Sequence, residues 1–148
     1  MLRTAICLCL IILIAVPLAL EAKKTASGTT GKIIVNQASE VDTLKRTELV
    51  RIYLGKKTLW ASGAKIAPAL LPEDSAVTQS FIQQILRKSV DQYRVYWKRR
   101  LFSGAATLPK SFRTSAEVVD FVARNPGAIG LVDKAPDDKR VKLIEIEE

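Results

Sequence analysis

The sequence predicts an α/β domain, because short apolar runs typical of strands alternate with longer segments whose apolar residues recur at helical spacing. The first run is KIIVN at 32–36, and the last is VKLIEIE at 141–147. Between them lie four segments with helical periodicity, separated by turn signals. This alternation favours a sheet flanked by helices over a helical bundle.

Residues 1–22 have the pattern of a secretory signal peptide, because a basic residue precedes a long uncharged apolar run and Ala22 precedes two lysines. We therefore expect cleavage after Ala22 or Ala19 and a periplasmic or otherwise extracytoplasmic location. A flexible segment at 23–31 and one domain at 32–148 should follow. The apolar run approaches the roughly 18 residues that span a bilayer, so a retained membrane anchor is the alternative.

The residue types that the sequence lacks exclude several chemistries. The chain has no histidine, and both of its cysteines, Cys7 and Cys9, lie in the signal segment. Thiol catalysis, Ser-His-Asp hydrolysis and structural zinc sites all need residues that the exported part does not contain. No paired-carboxylate motif stands out either. We expect a protein that is not an enzyme and that has no cofactor and no bound metal.

The charge balance is compatible with several negatively charged partners. The formal net charge of the chain is +8 at pH 7, which suits nucleic acid, anionic lipid, envelope polyanions or a small anion. Export argues against nucleic acid inside the cell. A solvated basic surface without a dedicated partner is the alternative.

The first half of the exported part is predicted to fold as strand, helix, turn and strand. After the strand at 32–36, a helix is expected to begin at 41–43 and to end at Gly55. The sequence WASG at 60–63 predicts a turn, and residues 65–71 predict a second strand that ends before a proline.

Three helices with N-terminal capping signals come next. Asp74 or Ser75 can cap the first of them, and Ser89 can cap the second. Thr114 with Glu117 predicts a capping box at the start of the third. These signals place each helix start to within a residue or two.

The sequence RNPGAIGLV predicts a helix stop that leads into a buried strand. Pro126 should end the helix, and Gly127 can adopt the positive φ that other residues resist. The small residues of 128–132 indicate that another segment or a ligand approaches the backbone. A short strand is also expected at 110–113, and a last strand at 141–147.

Three stretches resemble the phosphate-binding, periplasmic-binding-protein-like family of ABC transporter substrate-binding components. They are ELVRIYLGKKTLWASGAKIAP, QYRVYWKRRLFSG and AEVVDFVARNPGAIGLVD. The resemblance covers nearly everything from Ile33 to Asp133. Family members are two-lobed clamshells, and the matched segments are those of the second lobe only. The resemblance therefore implies a single lobe with a mixed β-sheet flanked by helices, and it places the Asn-Pro-Gly turn near the binding cleft.

The resemblance also implies an oxyanion site at the start of the helix that follows the second strand. In the family, backbone N–H groups at this helix start and an Arg from the preceding loop surround the anion. The matching candidates for ligand binding in this chain are Ser75, Ala76, Val77 and Thr78.

Two positions depart from the family pattern. Leu71 occupies the place of the Arg, so the site loses a cation. Asp74 occupies the place of a Gly, and its carboxylate can cap the helix or repel an anion by about 1 kcal/mol even in water-like surroundings. These departures favour the alternative that the chain is a ligand-free interaction module of the cell envelope that retains the lobe.

The stretch YRVYWKRRLF combines aromatic and basic residues. Tyr93, Trp97 and Leu101 share one helix face, which predicts a core stripe. Arg94, Lys98 and Arg99 lie on other faces, where they can dock an acidic partner or an anionic envelope surface.

The sequence thus predicts an exported, solute-binding-protein-like domain that recognises phosphate or a related oxyanion for an ABC transporter. Its expected partners are the small anion itself and an ABC permease or another envelope protein. Nucleic acid is not expected among them.

Overall fold

The computed structural model describes residues 31–104 and 108–148. The signal peptide predicted at 1–22 and nearly all of the flexible segment predicted at 23–31 lie outside these residues. The strands and helices are, in chain order, β1 Lys32–Asn36, β2 Thr43–Lys45, α1 Arg46–Tyr53, β3 Ala67–Leu70, α2 Ala76–Gln84, α3 Val90–Phe102, β4 Lys110–Ser111, α4 Ser115–Arg124, β5 Ala128–Val132, β6 Val141–Leu143 and β7 Glu145–Glu147.

A five-stranded mixed sheet forms the centre of the domain, with the strand order β4-β3-β5-β1-β6. The strands β4, β3 and β5 run parallel, whereas β1 is antiparallel to both of its neighbours. The central strand β5 is buried along its whole length, as expected for a strand covered on both faces. The mixed sheet confirms the predicted fold class.

Helices cover both faces of this sheet. A Cβ placed on Gly130 of β5 would lie 2.6 Å from Val118, so α4 packs closely against this face. Successive strand side chains point to opposite faces, so Leu131 faces the other side. There a Cβ on Gly31 would lie 2.6 Å from both Leu131 and Val77 of α2. The domain therefore has three layers, with the sheet in the middle.

A buried amide side chain ties the sheet to the end of α4. Asn36, the last residue of β1, donates from Nδ2 to the carbonyl oxygens of Val122 and Ala123, each at 2.9 Å. Its Oδ1 accepts from the backbone N–H of Ala38 at 2.9 Å. Carbonyls at a helix end lack intrahelical partners, and Asn36 supplies donors for two of them.

The amino ends of β3 and β5 meet at Gly127. Its carbonyl oxygen accepts from Trp60 Nε1 at 2.9 Å and from the N–H of Ala67 at 3.1 Å. A Cβ on Gly127 would overlap the carbonyl oxygen of Lys65. The φ of Gly127 lies outside the left-handed region, so the predicted positive φ was wrong. Glycine is required here because two backbones approach closely.

Helix α1 begins later than the sequence predicted. Residues 43–45 do not start the helix, because they pair as β2 with residues 145–147 of β7 in a separate parallel two-stranded sheet. The last predicted strand, at 141–147, is likewise two strands. Its first half pairs with β1 and its second half with β2. A partner distant in the chain thus overrides the local helical pattern.

The capping signals predicted the other helix starts correctly. Ser75 caps α2, and Ser89 forms a full capping box at α3. Thr114 accepts from the N–H of Glu117 at 3.2 Å and caps α4. The Glu117 carboxylate, however, accepts from the N–H of Arg113 at 2.9 Å. The Glu117 carboxylate thus bonds the amide of the residue before the cap, Arg113, and not that of the cap residue Thr114, so only the hydroxyl half of the capping box forms as predicted.

Within residues 31–104 and 108–148, every helix is too short or too polar to cross a membrane.

We expect Gly127→Ala to lower the free energy of unfolding by about 2–3 kcal/mol, because the added methyl group must displace the backbone of Lys65. Gly130→Ala is the matched comparison. Its new methyl group meets the side chains of Val118 and Val122, which can rotate, so a loss of about 1–2 kcal/mol is expected. Urea unfolding followed by circular dichroism measures both. A Gly127→Ala protein as stable as the wild type would contradict the prediction.

Candidate functional site

The carboxyl ends of β3 and β5 form one edge of the sheet, and α2 begins at this edge. The start of β1 lies there too, because Lys32 pairs with Val132 at the end of β5. After Leu70 ends β3, a turn closed by a hydrogen bond from Ser75 N to Pro72 O (2.9 Å) leads into α2. Ligands of open α/β sheets bind outside the carboxyl ends of strands.

Two backbone N–H groups at the start of α2 are available to a ligand. The Ser75 hydroxyl oxygen accepts from the N–H of Thr78 at 3.3 Å and satisfies that amide. The amides of Ala76 and Val77 have no acceptor among the residues that the structure describes. They lie at the positive end of the helix dipole, where negative charge is favoured.

Thr78 contributes less to a ligand than its sequence position suggests. Its side chain is buried, and its hydroxyl donates to the carbonyl oxygen of Leu71 at 3.0 Å. Its amide is already bonded to Ser75. Of the four candidate residues, Ala76 and Val77 thus offer free amides, Ser75 offers a hydroxyl proton, and the Thr78 side chain holds the preceding loop.

The two departures from the family pattern have different structural consequences. Leu71 is buried in the core, so no cation projects from its place in the loop. Asp74 is exposed and does not cap the helix, since Ser75 does. Its carboxylate makes no hydrogen bond or ion pair within the described part of the chain. A negative charge therefore stands one residue before the helix cap.

The solved structures on which this lobe superposes include phosphate receptors. The chain superposes on an ABC-type phosphate transport receptor from Vibrio cholerae with a TM-score of 0.61 and 25% sequence identity, covering 79% of this chain and 46% of that one. A candidate phosphate ABC transporter substrate-binding protein from Clostridium perfringens, solved with bound phosphate, superposes with a TM-score of 0.59 and 20% sequence identity. The match covers 79% of this chain and 44% of that one. PstS from Borrelia burgdorferi superposes with a TM-score of 0.60 and 15% sequence identity, covering 79% of this chain and 47% of that one.

The described domain is a single periplasmic-binding-protein-like lobe. The chain spans less than half the length of each of these receptors. By sequence alone, it matches no protein-family model and no curated protein. The likeness thus rests on the arrangement of the elements, and it confirms the family resemblance seen in the sequence.

A second carboxylate lies at the same edge of the lobe, at the start of α4. Asp133, which follows β5, accepts from the Ser115 hydroxyl at 2.5 Å and donates its own N–H to the Ser115 oxygen at 3.2 Å. The Ser115 hydrogen bond lowers the pKa of Asp133 below its usual value. The group therefore stays ionised, and the edge of the lobe carries negative charge at two helix starts.

A cavity of ≈ 340 Å³ adjoins the start of α2, between α3 and the carboxyl ends of β3 and β4. Thr78, Tyr93 and Trp97 line it, and the last two are buried as the sequence predicted. Leu101 was predicted to join them in the core but is 47% exposed at the cavity mouth. The cavity has no sequence signal, because its walls come together from separate segments.

An ion pair closes one side of this cavity. Arg94 Nε lies 2.8 Å from the Glu73 carboxylate, and Arg94 Nη1 lies 3.3 Å from Asp91. The Glu73 hydrogen bond raises the pKa of the Arg94 guanidinium. The cation that contacts the loop before α2 is thus already paired with carboxylates, and it does not replace the missing family Arg at Leu71.

The Asn-Pro-Gly turn lies at the opposite edge of the sheet from Ser75. Gly127 precedes the first residue of β5, and Ala67 at the amino end of β3 pairs with Ala128. The turn lines a different cavity of ≈ 400 Å³ together with Gly55 and Lys65. The expectation that the turn lies near the binding cleft was therefore wrong for the Ser75 site. In the described part of the lobe, no cluster of acidic residues could hold a metal ion.

The stability of the lobe should fall as the pH rises from about 10 to about 12. Burial raises the pKa of Tyr93 to about 12, with the Trp97 N–H opposing this effect. The unfolded tyrosine ionises near pH 10, so ionisation stabilises the unfolded state first. The free energy of unfolding therefore falls by about 2–3 kcal/mol by the time the pH reaches about 12. Tyr93→Phe should weaken this alkaline loss. Urea unfolding at several alkaline pH values measures it, and parallel curves for Tyr93→Phe and the wild type would contradict the assignment.

Proposed function

We propose that the lobe binds phosphate or a related oxyanion at the start of α2, as a component of ABC-type uptake. The observation that carries the proposal is the pair of amides, at Ala76 and Val77, that lack acceptors at the carboxyl edge of the sheet. Such amides at the positive end of a helix form an anion socket. The likeness to phosphate receptors, one of them solved with bound phosphate, supports the choice of ligand.

The described socket surrounds an anion on one side only. Ser75 adds a hydroxyl donor to the two amides, but the core residue Leu71 stands where the family has a cation. Water therefore keeps access to the other oxygens of the ion, and the Coulomb attraction is weaker than in an enclosed site. We expect affinity in the millimolar range for the lobe alone. A second lobe, a second copy or a permease would complete the cage.

The proposed task is binding, without catalysis. Two of the solved neighbours are a phosphate transport receptor and a candidate phosphate ABC transporter substrate-binding protein, and the sequence after the signal pattern lacks both cysteine and histidine. We place the protein outside the cytoplasm, in the periplasm or an equivalent compartment, on the strength of the signal pattern at 1–22. An ABC permease is the partner class that fits this placement.

Two observations favour a second function, that of a ligand-free interaction module. The Thr78 hydroxyl already donates its hydrogen bond to the Leu71 carbonyl, and Asp74 adds negative charge beside the two amides. A lobe that no longer binds anions would keep its shape for contact with an envelope protein. The titration described next separates the two functions, because the second one predicts no binding of phosphate or sulfate.

Removing one amide should weaken phosphate binding without unfolding the lobe. Ala76→Pro deletes the N–H at the first helical position, where proline is well tolerated. We expect about tenfold weaker binding, because a hydrogen bond to a charged group contributes about 1.5–3 kcal/mol. Isothermal titration with phosphate and with sulfate measures the affinity.

The matched control for this variant is Val90→Pro, which makes the same change at the first position of α3. It should leave phosphate binding intact. The proposal is wrong if the wild-type protein gives no heat of binding at millimolar phosphate or sulfate. It is also wrong if Ala76→Pro and Val90→Pro lose phosphate affinity to the same extent.

Removing the charge of Asp74 should strengthen anion binding. A carboxylate a few ångströms from the ion costs about 1 kcal/mol in water-like surroundings, so Asp74→Asn is expected to raise phosphate affinity about fivefold. Glu40→Gln removes the same charge from an exposed position near Trp60, away from the α2 edge, and should change little. Unchanged or weaker binding by Asp74→Asn would place the ion elsewhere.

A further inference from the structure

Helix α3 carries apolar side chains on two opposite sides. Tyr93 and Trp97 are buried in the core, but Val95 is 49% exposed and Phe102 is 83% exposed. A helix that packs only against its own domain needs one apolar side. The outward apolar residues, and above all an almost fully exposed phenylalanine, therefore call for a partner outside the lobe.

Two unpaired cations share this outward side. Val95, Lys98, Arg99 and Phe102 are spaced as i, i+3, i+4 and i+7, which places them on one helix face; we call these four residues the α3 outer face. Both cations are exposed. Neither forms an ion pair with a carboxylate in the described part of the chain, although each of their neighbours Arg94 and Arg100 is bonded to the protein.

Arg100 has a different role from the two cations that precede it. Its Nη2 donates to the carbonyl oxygen of Gly55 at 3.1 Å, and its guanidinium carbon lies 5.9 Å from the centre of the Tyr96 ring. The Tyr96 hydroxyl donates to the carbonyl of Leu54 at 2.6 Å. These contacts attach α3 to the end of α1. Arg100 is therefore structural, and Lys98 and Arg99 are the cations available to a partner.

We propose that the α3 outer face binds the surface of an anionic phospholipid membrane. Lys98 and Arg99 would contact lipid phosphates while Phe102 and Val95 enter the headgroup layer, the arrangement by which basic helices with apolar residues bind such surfaces. Lipid headgroups are fluid and can rearrange around the protruding ring of Phe102, whereas a protein partner would need a pocket of matching shape. The net charge of +8 adds a long-range attraction to the same surface.

The Phe102 end of this surface is separate from the oxyanion socket, whereas Lys98 lines the cavity that adjoins the start of α2. Helix α3 starts near the socket, since Arg94 pairs with Glu73 in the loop before α2. It ends at the other edge of the sheet, where Arg100 bonds to Gly55 and Gly55 shares a cavity with the first residues of β3 and β5. Membrane contact through Phe102 thus leaves the start of α2 free, and the two proposals can fail independently.

Vesicle co-sedimentation of the full chain tests the proposal. Vesicles of phosphatidylcholine are compared with vesicles of phosphatidylcholine mixed with an equal amount of phosphatidylglycerol, at low and at high salt. We expect salt-sensitive binding that requires phosphatidylglycerol and that falls at least tenfold in the double variant Lys98→Glu with Arg99→Glu. Phe102→Ser should also weaken it. Binding to vesicles of phosphatidylcholine alone measures the contribution of the apolar run at 4–20, and the comparison uses only the additional binding that phosphatidylglycerol gives.

The matched control reverses two exposed cations elsewhere, Lys134→Glu with Lys139→Glu, and changes the net charge by the same amount. It should keep most of the binding. If both double variants lose vesicle binding to the same extent, net charge alone explains the binding, and the assignment to the α3 outer face is wrong. Absence of phosphatidylglycerol-dependent binding in the wild type would overturn it as well. Circular dichroism checks that each variant is folded.

A second readout follows the ring itself. In Phe102→Trp, indole emission should shift to shorter wavelength on phosphatidylglycerol vesicles, because the ring leaves water; Trp60 and Trp97 are buried and give a constant background. A protein that sediments with no shift in emission would contradict insertion of this residue. Phe102→Ser should retain phosphate binding in the titration, and Ala76→Pro should retain vesicle binding.

Discussion

Two backbones approach so closely at Gly127 that no side chain fits between them, and the arrangement of the sheet depends on this contact. The carbonyl of Gly127 holds both the indole of Trp60 and the first amide of β3. The parallel pairing of β3 with β5 starts at the next residue of each strand. Because both strands start together, they end together, and their shared carboxyl edge is where α2 presents its unpaired amides.

Local signals in the sequence were enough to predict most elements of this fold. The starts of α2, α3 and α4 follow from Ser75, Ser89 and Thr114, because a hydroxyl that caps a helix acts over three residues. The two-stranded sheet could not be predicted in this way, since residues 43–45 become a strand only through a partner about a hundred positions away. At Gly127 the residue type was informative, but the cause was close packing and not an unusual φ.

The candidate site was predictable in position and less so in detail. The resemblance placed it at Ser75, and the structure puts that residue at the cap of α2. The bond from the Thr78 hydroxyl to the Leu71 carbonyl depends on how the loop folds back, which spacing does not encode. The pairing of Glu73 with Arg94 joins two elements, and no local pattern predicts it. Tertiary contacts therefore decide which donors remain for a ligand.

The small sheet made by β2 and β7 joins residues 43–45 to residues 145–147. Leu44 and Ile146 are opposite each other in it, and Arg46 at the start of α1 forms an ion pair with Glu148 at 2.9 Å. Residues 145–148 are thus attached to the start of α1 and to the strand that precedes it. Truncation before Glu145 would therefore leave β2 without a partner strand and would expose the buried side chain of Leu44.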